Sequence, residues 1–275
     1  MTNSRRGIQR GWRIALCLCA AMCTASCAAL RHTSDERLPA THTVRLEQLL
    51  IHSDTVLPTR HRLFNDLTAQ RGELVEKLQL PTSDEPIHIF LFGTSERFGE
   101  FMASDYPDLP TRRAFFVEAD TRLNVYAHWG GRVAEDLRHE VAHGYLHAVI
   151  RNIPLWLDEG LAEYFEVPRG TSGINPPHVR LLASRLAQGG WRPDLRRLES
   201  LQTAAEMSQL DYAESWAWVH FLMETEPRRL ELLRAQLQTL RRQGQAESLA
   251  AQIARNIPHA EKQLADHIFT LAEAK

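Results

Sequence analysis

Cysteine is missing from residues 28–275 of this 275-residue sequence. The four cysteines, Cys17, Cys19, Cys23 and Cys27, all lie near the N-terminus. The rest of the chain therefore has no disulfide framework, and the packing of side chains has to stabilise it unaided. The sequence also has no internal repeat and no low-complexity tract, which excludes a solenoid or a fibrous array.

The sequence also has no excess of basic over acidic residues. The sequence contains 32 Lys and Arg against 34 Asp and Glu. Four of the arginines and none of the acidic residues lie within residues 1–26, so the rest of the chain has 28 basic and 34 acidic side chains and a net charge near −6. Such a charge balance argues against nucleic acid as a partner.

The N-terminal segment has the features of an export signal. An apolar stretch at residues 14–25 follows four arginines and is too short for a permanent membrane anchor. The segment Thr24–Cys27 (TASC) resembles a bacterial lipobox, in which the cysteine is lipidated and becomes the new N-terminus. The lipobox pattern prefers Leu where this sequence has Thr24.

We therefore predict that residues 1–27 are a signal peptide ending in the lipidated Cys27, followed by a flexible polar tether over residues 28–42. Cleavage by an ordinary signal peptidase near residues 28–29 is the alternative. Either route exports the protein. The lipobox predicts a bacterial cell-envelope protein held at the membrane by a lipid anchor.

The sequence HEVAH at residues 139–143 carries the strongest chemical signal. On a helix, His139 and His143 lie on one face, at the spacing that lets two imidazoles bind one zinc ion. Glu140 can reach a zinc-activated water without being a ligand, so the motif predicts hydrolysis with Glu140 as the general base. Periodic apolar residues favour a helix over residues 132–150. The alternative is an ordinary amphipathic helix whose histidines bond neighbouring acceptors.

A second helix, predicted over residues 155–166, supplies the third protein ligand that a catalytic zinc requires. Glu159 and Glu163 share a face of this helix, and we predict Glu159 as the ligand that completes a His₂Glu set. Glu163, one turn later, is expected to accept the outward N–H of a zinc-bound histidine. Asp158 is interpreted as a carboxylate that the helix dipole favours, and Glu166 as part of a solvated face.

Together these motifs resemble those of the gluzincin peptidases, the thermolysin-like and zinc-aminopeptidase-like metallopeptidases of the MA clan. The segment WLDEGLA at residues 156–162 is similar to the aminopeptidase block WLNEGFA, whose glutamate binds zinc and corresponds to Glu159. The likeness covers residues 136–166. Outside it, the chain most resembles the poorly characterised bacterial peptidase-MA-like families. The resemblance implies a peptidase with one Zn²⁺ per chain and a peptide or protein substrate.

The sequence departs from these families at several points. The 15 residues that separate His143 from Glu159 (residues 144–158) are fewer than in thermolysin or the aminopeptidases. The chain has no GAMEN-type block, so an exopeptidase site is not implied. A metzincin is excluded because Val149 stands where its third histidine would be. His147 is near but mis-spaced, and we interpret it as a packing residue or an outer neighbour of the ligands.

The resemblance further implies a zincin-like fold with a strand beside the substrate cleft that pairs with the extended substrate. One of the two strands predicted at residues 113–117 and 123–129 is expected to have this role. Related folds also place a Tyr or His donor to the developing oxyanion on a later helix. Tyr212 is the first candidate for this donor and His220 the second; a core position is the alternative for each.

Hydrophobic periodicity predicts an α+β protein with a small mixed sheet. The elements predicted before the zinc motif are strands at 44–52 and 87–92, helices at 60–78 and after a capping Ser95, and a hairpin of residues 113–117 and 123–129 around Asp120-Thr121. Gly and Pro at residues 169–177 predict a lobe boundary, and Pro227 and Pro258 divide later helices. We expect a catalytic lobe over residues 43–168 and a helical C-terminal lobe over 169–275.

These features predict a zinc-dependent peptidase of the bacterial cell envelope, with Glu140 as the base that acts on a zinc-activated water. The alternative is a non-catalytic zincin-fold lipoprotein that serves as a binding or scaffolding module. Glu140 favours the enzyme, since a structural zinc site needs no general base. A zinc hydrolase of non-peptide amides would use the same residues.

Overall fold

This computed structural model describes residues 37–58, 61–119 and 121–274. The predicted signal peptide, Cys27 and most of the predicted tether lie outside the described residues, as does Asp120 of the predicted hairpin turn. The strands are β1 (His42–Leu46), β2 (Leu49–Ser53), β3 (Ile87–Phe92), β4 (Ala114–Ala119) and β5 (Arg122–His128). The helices are α1 (Arg62–Leu78), α2 (Ser95–Asp105), α3 (Val133–His147), α4 (Leu155–Phe165), α5 (Pro176–Ala187), α6 (Leu195–Ser200), α7 (Gln209–Glu224), α8 (Pro227–Gln243), α9 (Leu249–Asn256) and α10 (Ala260–Glu273). The α+β class and the mixed sheet are confirmed.

The sheet has the strand order β1-β2-β3-β5-β4. The inner strands β2, β3 and β5 run parallel, and an antiparallel strand lies at each edge. The edge strand β4 lies beside α3, the helix that carries the HEVAH motif. The sheet therefore presents one open edge next to the two histidines.

The single strand predicted at residues 44–52 is wrong, because this segment is a hairpin. Leu46 pairs with Leu49, and Glu47 adopts a left-handed backbone conformation with φ 52° in the tight turn between β1 and β2. Glu47 and Gln48 are not typical turn formers, so the turn has no Gly, Asn or Pro to indicate it. A smaller correction concerns α2, whose N-cap is Thr94 rather than Ser95.

The two motif helices pack closely against their neighbours. A Cβ atom on Gly160 of α4 would lie 2.5 Å from the carbonyl oxygen of Ser215 on α7. A Cβ atom on Gly144 of α3 would lie 3.0 Å from the side chain of Ile87 on β3. Bulky core side chains surround these contacts, among them the fully buried Trp156 and Trp216. Both helices therefore have fixed positions relative to the sheet and to α7.

The prolines predicted to divide the later helices do so: Pro227 begins α8, and Pro258 lies between α9 and α10. Residues 166–175 connect α4 to α5. The lobe boundary predicted at residues 169–177 stays a prediction. Across residues 37–58, 61–119 and 121–274, no helix has the length and apolarity needed to span a lipid bilayer.

Candidate metal centre

His139 and His143 on α3 and Glu159 on α4 bring three potential zinc ligands together. The Nε2 atoms of the histidines are 3.2 Å apart, and Glu159 Oε2 lies 3.4 Å from His139 Nε2 and 3.6 Å from His143 Nε2. Zinc ligands bound at about 2.0–2.1 Å in a tetrahedron are about 3.3–3.4 Å from one another. The three atoms therefore stand at the separation that one zinc ion requires.

The ligand oxygen of Glu159 is a buried polar atom without a donor. Glu159 Oε2 receives no hydrogen bond from the part of the chain that the structure describes. A buried, unpaired carboxylate oxygen is costly unless a cation compensates its charge. This oxygen therefore fits a metal ion better than a purely structural hydrogen-bond network.

Carboxylates lie within ion-pair distance of the outward-facing Nδ1 atoms of both histidines. His139 Nδ1 lies 3.1 Å from Glu166 Oε2, and His143 Nδ1 lies 3.0 Å from Asp158 Oδ1. An Nδ1–H that faces a carboxylate leaves the Nε2 lone pair for a metal ion. The interpretation of Glu166 as a solvated residue is wrong, since its side chain is only 16% exposed. Asp158 contacts a predicted ligand in addition to its favourable place in the first turn of α4.

Glu166, and not Glu163, makes the contact with the outward-facing nitrogen of a motif histidine that was expected of Glu163. Glu163 Oε2 lies 2.7 Å from His178 Nε2 and accepts a hydrogen bond from Asn175 Nδ2 at 3.4 Å. The start of α3 lies against the end of α4, so His139 faces the C-terminal end of α4. Glu166, the C-cap residue of α4, still has helical backbone angles there. Asn175 also donates to Glu166 at 2.8 Å. Glu163 therefore has its hydrogen-bond partners outside the ligand group, although its charge still raises the pKa of His139.

The electrostatics of the ligand group favour positive charge. Burial lowers the pKa of His139, but the carboxylates of Glu159 and Glu166 more than offset this and raise it well above its ordinary value. Burial is likewise outweighed at His143, where Asp158 and Glu159 raise the pKa to about 10. Burial would raise the pKa of Glu159, yet the two histidines hold it below its usual range. The cluster therefore stabilises a cation where the three ligand atoms meet.

Glu140 lies beside the ligands and close to the edge strand. The backbone N–H of Phe116 in β4 is near its carboxylate and helps to lower its pKa. Burial raises the pKa of Glu140, although the charges of His139 and His143 oppose this effect. A raised pKa and a position beside the two histidines suit a general base that takes up and returns a proton.

His147 extends a chain of contacts from His143 towards the surface. Its Nε2 atom lies 2.9 Å from Asp158 Oδ2, and its Nδ1 atom lies 2.9 Å from Glu118 Oε2 on β4. The ring of Phe116 packs against the rings of both histidines. Of the two interpretations of His147, the contacts support an outer neighbour of the ligands. Its place one helical turn after His143 is the sequence signal for this role.

Tyr212 lies in the wall of a cavity that reaches the ligands. It is in the first turn of α7, where Asp211 accepts the backbone N–H of Ser208 at 2.7 Å and fixes the start of the helix. Burial, followed by the charge of Glu159, raises the pKa of the Tyr212 phenol. Its hydroxyl accepts a hydrogen bond from Arg112 at 2.6 Å. Sequence reasoning missed Arg112, which no motif marks.

His220 lies elsewhere. Its ring is 2% exposed and packs against Trp216, and its Nδ1 atom is 2.9 Å from Nε2 of His267 on α10. His220 is therefore a core residue, which was the alternative for this position. The structure does not bring it to the ligand group.

Two cavities meet at the candidate metal centre. The larger has a volume of about 1090 Å³ and the smaller about 550 Å³. His143, Glu159 and Asp158 line the smaller cavity, while His139 and Glu140 line both. Cavities of this size accommodate several residues of an extended peptide or a small organic ligand.

No known family model matches this chain, and no curated protein matches it significantly. The gluzincin resemblance stays a prediction that rests on the motifs. What the structure adds is geometric: three potential ligand atoms at zinc-like separations, carboxylates behind both histidines, and Glu140 facing a cleft.

Proposed function

We propose that this protein is a zinc-dependent peptidase of the bacterial cell envelope. The observation that carries the proposal is the triangle formed by His139 Nε2, His143 Nε2 and Glu159 Oε2, with Glu140 beside it. Two other groups of potential ligands overlap this triangle, one with His147 and Asp158 and one with Glu163 and Glu166. Of the three groups, the triangle is the one that contains the Nε2 atoms of both motif histidines; its Glu159 Oε2, like Asp158 Oδ1, receives no hydrogen bond from the described residues.

The mechanism assigns proton transfer to Glu140. When bound, zinc would polarise the scissile carbonyl and lower the pKa of the attacking water. Glu140 takes the proton from that water and passes it to the leaving nitrogen, and the nearby N–H of Phe116 favours the charged form of its carboxylate that accepts the proton. Tyr212 is the candidate donor to the oxyanion, because it lies in the same cleft and its hydroxyl accepts from Arg112, which leaves the phenol proton free to donate.

The strand that pairs with the substrate is assigned to β4. Of the two predicted strands, β5 lies between β3 and β4, so both of its edges are occupied. The strand β4 forms the sheet edge and contributes Phe116 to the contacts of Glu140. An extended peptide added along this edge would bring its backbone past the general base.

The test combines metal content with peptide cleavage. The wild-type chain should bind one zinc ion, and His143→Ala and Glu159→Ala should each lose it. Glu140→Gln should retain zinc and lose about 10²–10⁴-fold in peptide hydrolysis. Glu100→Gln, on an exposed face of α2, is the matched control and should retain both properties. Stoichiometric zinc without cleavage of any peptide in a broad library would instead support a binding module or a non-peptide amide substrate.

The location in the cell envelope is a proposal from the sequence alone. It rests on the lipobox-like segment Thr24–Cys27, outside the described residues. Metabolic labelling with a radioactive fatty acid should mark the wild-type chain, and Cys27→Ser should abolish the label. Labelling that persists in the variant would contradict lipidation at Cys27.

A further inference from the structure

Four arginines line the larger cavity, and three of them are paired with carboxylates. Arg113 bonds Asp136 at 2.6 Å, Arg132 lies 3.6 Å from Glu135, and Arg138 bonds Asp66 at 3.1 Å. The fourth, Arg112, has no carboxylate within ion-pair distance among residues 37–58, 61–119 and 121–274. Among the described residues, it is the one arginine of this wall without an ion-pair partner.

Tyr212 holds the Arg112 side chain in place without neutralising its charge. One guanidinium N–H donates to the Tyr212 hydroxyl at 2.6 Å, and the guanidinium carbon lies 5.5 Å from the centre of the same ring. A guanidinium has five N–H donors in a fixed fork, so several donors remain for a further partner. A side chain that is already oriented loses little entropy when it binds that partner.

Arg112 stands where the two cavities meet. It lines both of them, as do His139 and Glu140. Burial lowers the pKa of Arg112, but Tyr212, Glu159 and Glu140 more than offset it and raise that pKa. A ligand that extends from the ligand group into the larger cavity can therefore contact this guanidinium.

We propose that Arg112 binds a carboxylate group of the substrate close to the scissile bond. The partner is either the free C-terminal carboxylate of a peptide or the side chain of an Asp or Glu residue; both offer the two oxygens that a guanidinium binds in a bidentate manner. The inference rests on the proposed peptidase function and adds a substrate class to it.

The experiment compares matched peptide pairs on the full-length, zinc-loaded protein. One arm sets a C-terminal acid against a C-terminal amide; the other sets Glu against Gln at each position around the cleaved bond. The wild type should prefer the carboxylate member of one arm by at least about tenfold in kcat/KM, mainly through KM. The arm that shows the preference identifies the source of the carboxylate.

Three variants locate the preference. Arg112→Gln should abolish it, Arg112→Lys should retain part of it, and Arg132→Gln is the control that removes a paired cation from the same cavity wall. Equal rates on both members of every pair in the wild type would overturn the proposal. So would a preference that survives in Arg112→Gln. A fall in kcat that is the same for all peptides would show that Arg112 acts only through Tyr212, and would also overturn it.

Binding without turnover separates this proposal from the peptidase assignment. Fluorescence anisotropy of labelled peptide pairs on zinc-loaded Glu140→Gln should show the same carboxylate preference in Kd, and adding Arg112→Gln should remove it. Carboxylate-dependent binding with no cleavage by the wild type would contradict the peptidase and leave the role of Arg112 intact. Cleavage by the wild type without any carboxylate preference in Kd would support the peptidase and contradict the role of Arg112.

Discussion

Replacing Gly160 by alanine tests the closest helix contact near the candidate metal centre. The added Cβ atom would lie 2.5 Å from the carbonyl oxygen of Ser215 and 2.8 Å from Val219 Cγ2. Ordinary van der Waals contact begins at 3.4 Å, so α4 and α7 would have to separate by about an ångström. Overpacking of this kind costs about 3 kcal/mol, and alanine regains about 1 kcal/mol in helix propensity. We therefore expect Gly160→Ala to lower the free energy of unfolding by about 2 kcal/mol.

The same substitution at Gly72 provides the control. Gly72 lies on the exposed side of α1, and a Cβ atom there meets nothing within 4 Å, so Gly72→Ala should stabilise the protein by about 1 kcal/mol. Guanidinium titration of both variants measures the two effects. Glu159 precedes Gly160, so a displaced α4 should also weaken zinc binding. A Gly160→Ala protein as stable as the wild type would refute the close approach of α4 and α7.

The other expected outcomes concern the metal ion and pH. His147→Ala should weaken zinc binding about 10–100-fold in a chelator competition, because Asp158 loses one of its two imidazole partners; unchanged affinity would make His147 a packing residue. Removing zinc should lower the free energy of unfolding, and free zinc at a hundred times its Kd should restore about 2.7 kcal/mol; no shift would mean that the folded chain does not bind zinc. Burial and His267 lower the pKa of His220 from 6.5 to about 4, so between these values the unfolded chain binds a proton that the folded chain does not. The contribution of His220 to the free energy of unfolding should therefore fall by about 2 kcal/mol from about pH 7 to about pH 5, and the difference between the pH dependences of the wild type and His220→Gln measures it; equal dependences would show that the pKa of His220 is not lowered.

The fold was predictable where hydrophobic periodicity is strong. The bounds of β3 agree with the prediction, and α1, α3 and α4 differ from it by a few residues at their ends. The hairpin of β1 and β2 was missed because a two-residue turn at Glu47 and Gln48 interrupts an otherwise continuous apolar pattern. Strand order depends on long-range pairing that one sequence does not encode in any local pattern, so the sheet edge at β4 emerges only from the structure.

The site was predictable to the extent that helical spacing determines it. His139, His143 and Glu140 follow from one helix, and the structure brings Glu159 to them from the next. The error over Glu163 has a geometric cause. On an ideal helix, Glu166 lies about 20° from the direction of Glu159, whereas Glu163 lies about 40° away, so both share the face. The choice between them depends on how α3 crosses α4, which the spacing within either helix does not determine.

The groups around the ligand triangle come from parts of the chain that are remote from the HEVAH motif. On one side, contacts pass from His143 through Asp158 and His147 to the edge strand. The hydrogen bond between Arg112 and Tyr212 joins the segment before β4 to α7 across 100 residues of sequence. Ligand spacing within a helix is local, and it indicates the metal. The cleft wall is assembled by tertiary contacts. If the proposed function is right, the substrate touches that wall, and Arg112, which has no ion-pair partner among the described residues, would carry information about the substrate that the motif lacks.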